Sequence, residues 1–343
     1  MPDLDLMEEE LKNDIENSKP PVEYIGVSEL MDNASLEYDT RKPEDFVSYG
    51  YDFLDNHMGG INTSDLIVIG GETGTGKTTF ASNMLIKSSK KHKSVLFSLE
   101  DRPEDLILQR IFYKINELRK MDGKGAYPFI AYHKNEIKDL EFKAYQERAK
   151  QELTKIFSDN VEIVRINKIL DIGILEKEIE KKASEGVKLF MIDHLHYFAF
   201  EGDSSRADAI QEFMNRLRLV QNKTGARVIL IVHYRKLNGS KPTLDSFKDS
   251  MSISQNATVV INLWRDRGGG EFDHMVDDEG EKATVDQTHI MIPKIRIPVP
   301  EVTFKATYDH STNDYLDDST VQGTEQGDGY SKYKMEKNNF GSV

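Results

Sequence analysis

The chain has 343 residues, 38% of them hydrophobic, no cysteine and a formal net charge of −14. That length suits one large domain with appendages or two smaller ones, with apolar content enough for a substantial core. Disulfides and thiolate metal sites are excluded, as is a transmembrane helix, since no run approaches about 18 apolar residues. The acidic balance leaves nucleic acid open, because a local basic patch decides that rather than the net charge.

Much of the charge sits at the ends. Residues 1–20 carry seven acids against two lysines and residues 313–343 carry six against three, leaving the middle at about −6. Met1-Pro2-Asp3-Leu4-Asp5 has neither a basic nor an apolar leader region, and a cytoplasmic location is expected. Leu4, Leu6, Met7, Leu11 and Ile15 space a weakly amphipathic acidic helix ending near Lys19-Pro20-Pro21. It is either a frayed, solvated terminus or a helix docked on a neighbouring subunit. A short helical stretch at Val27–Met31 follows, and residues 1–44 read as an extension and linker.

Residues 45–316 read as one α/β domain. Phe53-Leu54-Asp55 and Gly59-Gly60 lead up to the apolar, β-branched run Leu66 to Ile69, a strand buried on both faces. Gly71-Glu72-Thr73-Gly74-Thr75-Gly76-Lys77-Thr78 then completes the pattern G-x-x-x-x-G-K-[ST], and Thr79 to Ser89 reads as a helix. The chemistry requires this order. Gly71, Gly74 and Gly76 let successive N–H groups face inward around phosphate oxygens, and the helix N-terminus adds its own attraction for anions. Lys77 would reach the β- and γ-phosphates, and the Thr78 hydroxyl would bind Mg²⁺, with Thr73, Thr75 and Thr79 completing the loop.

Strands at Lys93–Leu99, Val161–Arg165, Val187–Ile192, Ala226–Val232 and Thr258–Leu263 alternate with helices at Pro103–Glu117, 135–157, Leu170–Ala183 and Ala207–Asn222. Short apolar strands in that alternation predict a mostly parallel sheet with the ligand at its carboxyl edge. Tyr234–Ser254 and Gly268–Glu281 read as loops, and Arg206, in a loop at Gly202–Ala209, is a further candidate contact for a nucleic-acid strand. Thr288–Pro293 and Glu301–Thr307 form a hairpin around Ile297-Pro298-Val299-Pro300, and residues 317–343 read as a disordered tail.

Three strand ends deliver chemistry to that edge. Asp193 follows Leu189-Phe190-Met191-Ile192, a segment of Walker B form whose carboxylate orders a Mg²⁺ shell. Glu100 could orient and deprotonate the attacking water, or be a plain helix-terminal acid ahead of Pro103. His233 could sense the γ-phosphate, or simply end a strand. In the loop after it, Arg235, Lys236, Lys241 and Lys248 outnumber Asp245 and Asp249. They offer a positive patch to single-stranded phosphates, unless they form a solvated face. Aromatic interleaving there is limited to Tyr234 and Phe247.

Gly74-Thr75-Gly76-Lys77-Thr78-Thr79-Phe80-Ala81, Val95-Leu96-Phe97-Ser98-Leu99-Glu100 and Met191-Ile192-Asp193-His194-Leu195 together resemble the RecA-like motor domain of DnaB-type ring helicases. The resemblance spans about residues 45–316. It implies a RecA-like P-loop core with a C-terminal hairpin, ATP hydrolysis with Mg²⁺ between subunits of a hexameric ring, and movement on single-stranded DNA. A helicase loader or primase is the implied further partner. It makes Glu100 the catalytic base and His233 the phosphate-sensing position. Lys294 and Arg296, in Lys294-Ile295-Arg296, match the pair that reaches into the neighbouring subunit's site; without that match they are an exposed hairpin face. Phe247-Lys248-Asp249-Ser250 matches the DNA-facing loop, although Lys248 stands where Arg is usual and Met251 where Gly is. The extension is too short for the large N-terminal domain of full-length replicative helicases. Two other readings of the same residues are a RecA/KaiC-like ATPase switch or recombination factor without unwinding, and a non-enzymatic ATP-dependent interaction module.

Overall fold

The computed structural model describes residues 24–42, 45–158, 160–167, 170–198, 205–235, 237, 240–247, 251–265 and 287–317. The acidic helix expected within residues 1–20, the Gly268–Glu281 loop, Lys236, Lys248 and the tail from 318 onward lie outside them. The chain divides into two compact units, Met1–Asp45 and Phe46–Val343. In the first, helix α1 runs Val27–Thr40 with every residue exposed. It is longer than the Val27–Met31 expected, because no Gly or Pro interrupts the sequence before Pro43.

The second unit is built on β1 (Leu66–Gly71). Its side chains alternate between two layers of core. Ile67 and Ile69 join Phe80, Met84 and Leu85 of the following helix, α3 (Lys77–Ser88), while Leu66 and Val68 join Ile210, Phe213 and Leu217 on the opposite face. A strand covered on both sides has no place for a polar face, which is why its sequence is continuously apolar. Helix α2 (Asp52–Met58) adds Phe53, Leu54 and Met58 to the first layer.

Parallel strands surround β1. They are β2 (Ser94–Ser98), β3 (Val161–Val164), β4 (Leu189–Asp193), β5 (Arg227–His233) and β6 (Val259–Trp264). The order across the sheet is β3-β2-β4-β5-β1-β6-β7-β8-β9. Strands β7 (Gln287–Ile295) and β8 (Val302–Asp309) form the expected antiparallel hairpin, and β9 (Asp314–Asp317) extends it. β9 falls where the sequence reading ends the domain and begins the tail, too short a run to read as a strand without its partner.

The crossover helices are α4 (Pro103–Met121), α6 (Leu140–Phe157), α7 (Ile172–Ser184) and α8 (Arg206–Thr224). Arg206 is therefore the first residue of α8, capped by the Ser205 side chain, and does not lie in a loop. Two short helices escape the sequence reading: α5 (Phe129–His133) and α9 (Ser252–Asn256). Each has five residues, too few to show a helical period.

Candidate nucleotide site

The phosphate loop leaves the carboxyl end of β1 between the ends of β5 and β6. In register, Gly71 lies beside His233 on one side and Leu263 on the other. Gly74 and Gly76 have φ of 77° and 87°, in the left-handed region that glycine adopts without cost. A Cβ on Gly76 would overlap the Tyr315 hydroxyl, which donates to the Gly76 carbonyl at 3.2 Å. Helix α3 starts at the next residue, so its unpaired N–H groups open into the loop.

Lys77 is buried, and its Nζ donates to the Glu72 carbonyl at 2.9 Å, across the space that phosphates would take. Burial pulls its pKa down to about 8, against the opposing charges of Asp193, Glu100 and Glu72. Asp193, 4% exposed, ends β4. Burial pushes its pKa up to about 7, helped by Glu100 and Asp101 and opposed by the Thr78 hydroxyl, which donates to it, and by Lys77. Its Oδ1 is buried without a hydrogen-bond partner. An orphaned carboxylate oxygen beside a threonine hydroxyl fits a hard divalent cation such as Mg²⁺, which takes oxygen ligands.

Glu100 stands just past β2, whose Ser98 pairs with Asp193. Its Oε2 lies 3.5 Å from His194 Nε2. The His196 N–H donates to His194 Nδ1 at 3.2 Å, so the neutral ring carries its proton on Nε2, facing Glu100. The His194 pKa is lowered to about 4 by burial and by Lys77, so near pH 7 the contact joins a neutral ring to a carboxylate. His233 packs edge-on against His194, with ring centroids 4.3 Å apart. Ligand atoms of Glu100, His194 and His233 all lie within 4.8 Å of one another. The sheet thus gathers Lys77, Thr78, Asp193, Glu100 and His233 at one edge.

Other expected site residues lie elsewhere. Lys294 pairs with Val260, and Ile295 with Val259, which in turn pairs with Ile67. Arg296 therefore comes level with the start of β1, five residues from Gly71, roughly 16 Å along the strand direction. The pair sits at the amino-terminal edge, away from its own phosphate loop. Of the basic loop, Arg235 and Lys241 are described and exposed, with the Lys241 ammonium 5.4 Å from the Trp264 ring centroid. Tyr234 and Phe247 bridge to each other and are buried in the core, at 7% and 5% exposure. The two aromatics to which the sequence limits interleaving in this loop are thus core residues, and neither ring can stack a base.

The sequence left two contributors unassigned. His194 was visible only as the residue after Asp193. Glu72, an unspecified x of the loop pattern, accepts from the Leu237 N–H at 2.9 Å and so ties the phosphate loop to the basic segment.

The family described as the DnaB-like helicase C terminal domain matches residues 47–315. The chain belongs to that family. A replicative DNA helicase DnaB of Helicobacter pylori is 26% identical over 249 residues, covering 70% of this chain and 46% of the relative. One from Pasteurella multocida is 25% identical over 238 residues, covering 64% and 46%. The chain thus spans a little under half the length of these DnaB relatives. Among solved structures, an ATPase domain at 17% identity has a TM-score of 0.69, covering 86% of this chain and 99% of its own. A DnaB-like replicative helicase, studied with its interactions with primase, has 18% identity and a TM-score of 0.66, covering 88% and 69%. Both have the fold seen here. Among the described residues no helix is long and apolar enough to cross a membrane.

Proposed function

We propose that the chain is an ATP-hydrolysing motor that assembles head-to-tail into a closed hexameric ring and moves on single-stranded DNA as a DnaB-like helicase or translocase. The observation that carries this reading is the split of the machinery between two edges of one sheet. Lys77, Thr78, Asp193, Glu100 and His233 lie at the carboxyl edge, and Lys294 and Arg296 at the other. A chain that holds a nucleotide at one edge and cations at the opposite one can complete its site from a neighbour.

In the working site, Lys77 exchanges the Glu72 carbonyl for phosphate oxygens, and the loop amides hold the remaining phosphate charge. Mg²⁺, when held by Thr78 and Asp193, supplies charge neutralisation at the phosphates. Glu100 accepts the proton of the attacking water, and the His194 Nε2–H positions its carboxylate. His233, beside Gly71, is placed to hydrogen-bond the terminal phosphate. Arg296 of the adjoining subunit then stabilises the charge on the transferred phosphoryl group. Arg235, Lys236, Lys241 and Lys248 bear on the DNA phosphates, and a loader or primase is the further partner.

Mixed rings test the arrangement. Arg296→Ala and Glu100→Gln should each bind ATP and turn it over poorly, since a finger in trans is worth a factor of thousands or more in related phosphoryl transfer. Mixed together, some interfaces pair an intact Glu100 with an intact Arg296, and ATPase activity should return in proportion to their frequency. Persistent inactivity in rings proven mixed by co-purification of two tags would sink the trans site.

A further inference from the structure

At the amino-terminal edge of the sheet the chain forms a cavity of about 400 Å³. Its polar wall includes Asn62, Ser64, Asp65, Arg218, Asn222 and Arg296. Arg218 comes from α8, and Arg296 follows directly on β7, with Lys294 two residues back. Arg218 Nη1 donates to the Ser64 carbonyl at 2.5 Å, with a longer contact of 3.4 Å to the Gln221 side chain. Lys294 Nζ donates to the carbonyls of Ser254 and Gln255 at 2.6 and 3.0 Å. Among the described residues none of these three cations forms an ion pair. Asp65 is the one acid on the wall, and its Oδ2 already accepts from the Asn62 N–H at 2.8 Å.

Three cations set against the single carboxylate of Asp65 leave an excess of positive charge, and an anion relieves it. Burial first, and then the charge of Arg296, lowers the pKa of Arg218 and of Lys294, with Asp65 opposing the shift at Arg218. Most of the Arg218 donors remain available, and a guanidinium fork matches phosphate oxygens in geometry as well as in charge. The cavity lies within the size range of small-molecule sites.

We propose that Arg218 and Arg296 together bind a phosphate-bearing group in this cavity. Two sources share that chemistry: the polyphosphate of a nucleotide held by the adjoining subunit, an arm that rests on the trans site proposed above, and a free phosphate compound. In either case Arg218 is a second arginine for the group that Arg296 meets.

Two arms separate the sources. Lys77→Ala protein, its own phosphate loop disabled, is titrated with pyrophosphate by calorimetry at low salt. A free-phosphate site predicts binding that weakens at least about tenfold when Arg218→Gln is added, the worth of a charge-assisted hydrogen bond. For the adjoining nucleotide, Arg218→Gln alone should lower kcat at least about tenfold with ATP affinity kept, and mixing with Glu100→Gln should restore turnover. Arg218→Lys should keep part of the function, since it keeps the charge but not the fork, whereas glutamine can replace only the bond to Ser64. The proposal is overturned if Arg218→Gln matches wild type in both arms while Arg296→Ala complements as expected. It is also overturned if glutamine and lysine are equally defective with a lowered Tm, the mark of a structural role. Failure of Arg296→Ala to complement strikes the trans site itself, and calorimetry then judges the cavity alone.

Discussion

Asp193 and Lys77 sit in one buried pocket with pKa values drawn toward each other, about 7 and about 8. Nucleotide binding with Mg²⁺ needs the carboxylate ionised and the ammonium charged. Asp193 gains its charge as pH rises through about 7, and Lys77 loses its charge as pH rises through about 8. ATP affinity in the presence of Mg²⁺ should therefore be bell-shaped, with its maximum between those values. Fluorescent-nucleotide titrations across both pKa values would show it, and Asp193→Asn should remove the acid limb; a flat profile refutes the pairing. Stability follows the opposite direction to binding on that limb. Asp193 is raised above its unfolded value, so its contribution is full below the usual carboxylate range and is lost as pH climbs through about 7. At Glu100, replacement by Gln keeps shape and hydrogen bonding but removes the base. Turnover should fall at least about a hundredfold with ATP binding intact. Normal turnover would move the role to Asp101 or Glu104. Lys77→Ala should abolish turnover and weaken binding, because it removes the ammonium proposed to face the β- and γ-phosphates.

At the scale of elements, the segment between β5 and α9 has two parts with opposite duties. Tyr234 and Phe247 pin it to the core, with ring centroids 5.3 Å apart, while Arg235 and Lys241 stay in solvent. Replacing Phe247 by Ala should cost about 3–5 kcal/mol of stability, read as a lower urea midpoint, with no specific loss of stacking on DNA. Neutralising Arg235, Lys236, Lys241 and Lys248 together should instead weaken single-stranded DNA binding. It should also flatten the salt dependence by roughly 0.7 for each phosphate no longer neutralised. An unchanged slope would place the DNA elsewhere. Glu72 links this segment to the phosphate loop through the Leu237 N–H.

At the scale of the whole molecule, the proposed pairing of a nucleotide edge with a neighbour's cationic edge would be heterologous, an interface that closes into a ring or continues as a filament. Electron microscopy with a non-hydrolysable ATP analogue and single-stranded DNA should show closed rings. Filaments would favour a recombination-type assembly, and unwinding of a forked duplex separates a helicase from a switch.

The sequence alone determined whatever depends on neighbours along the chain. The glycines, Lys77 and Thr78 must be contiguous to wrap a phosphate, and a strand buried on both faces must be continuously apolar, so both β1 and its loop were legible. Asp193, Glu100 and His233 were legible as polar residues ending apolar strands, because a parallel sheet aligns those ends. What depends on partners distant in sequence was not. Tyr234 and Phe247 look like exposed loop aromatics until the core is seen around them. Asp314–Asp317 becomes a strand only by pairing with β8, and its Tyr315 reaches Gly76 across 239 positions. Arg218 lies on an ordinary amphipathic helix, and only the sheet order brings it to the cavity beside Arg296. Tertiary structure decided these because pairing, burial and charge clustering are set by distance in space, which local spacing does not encode.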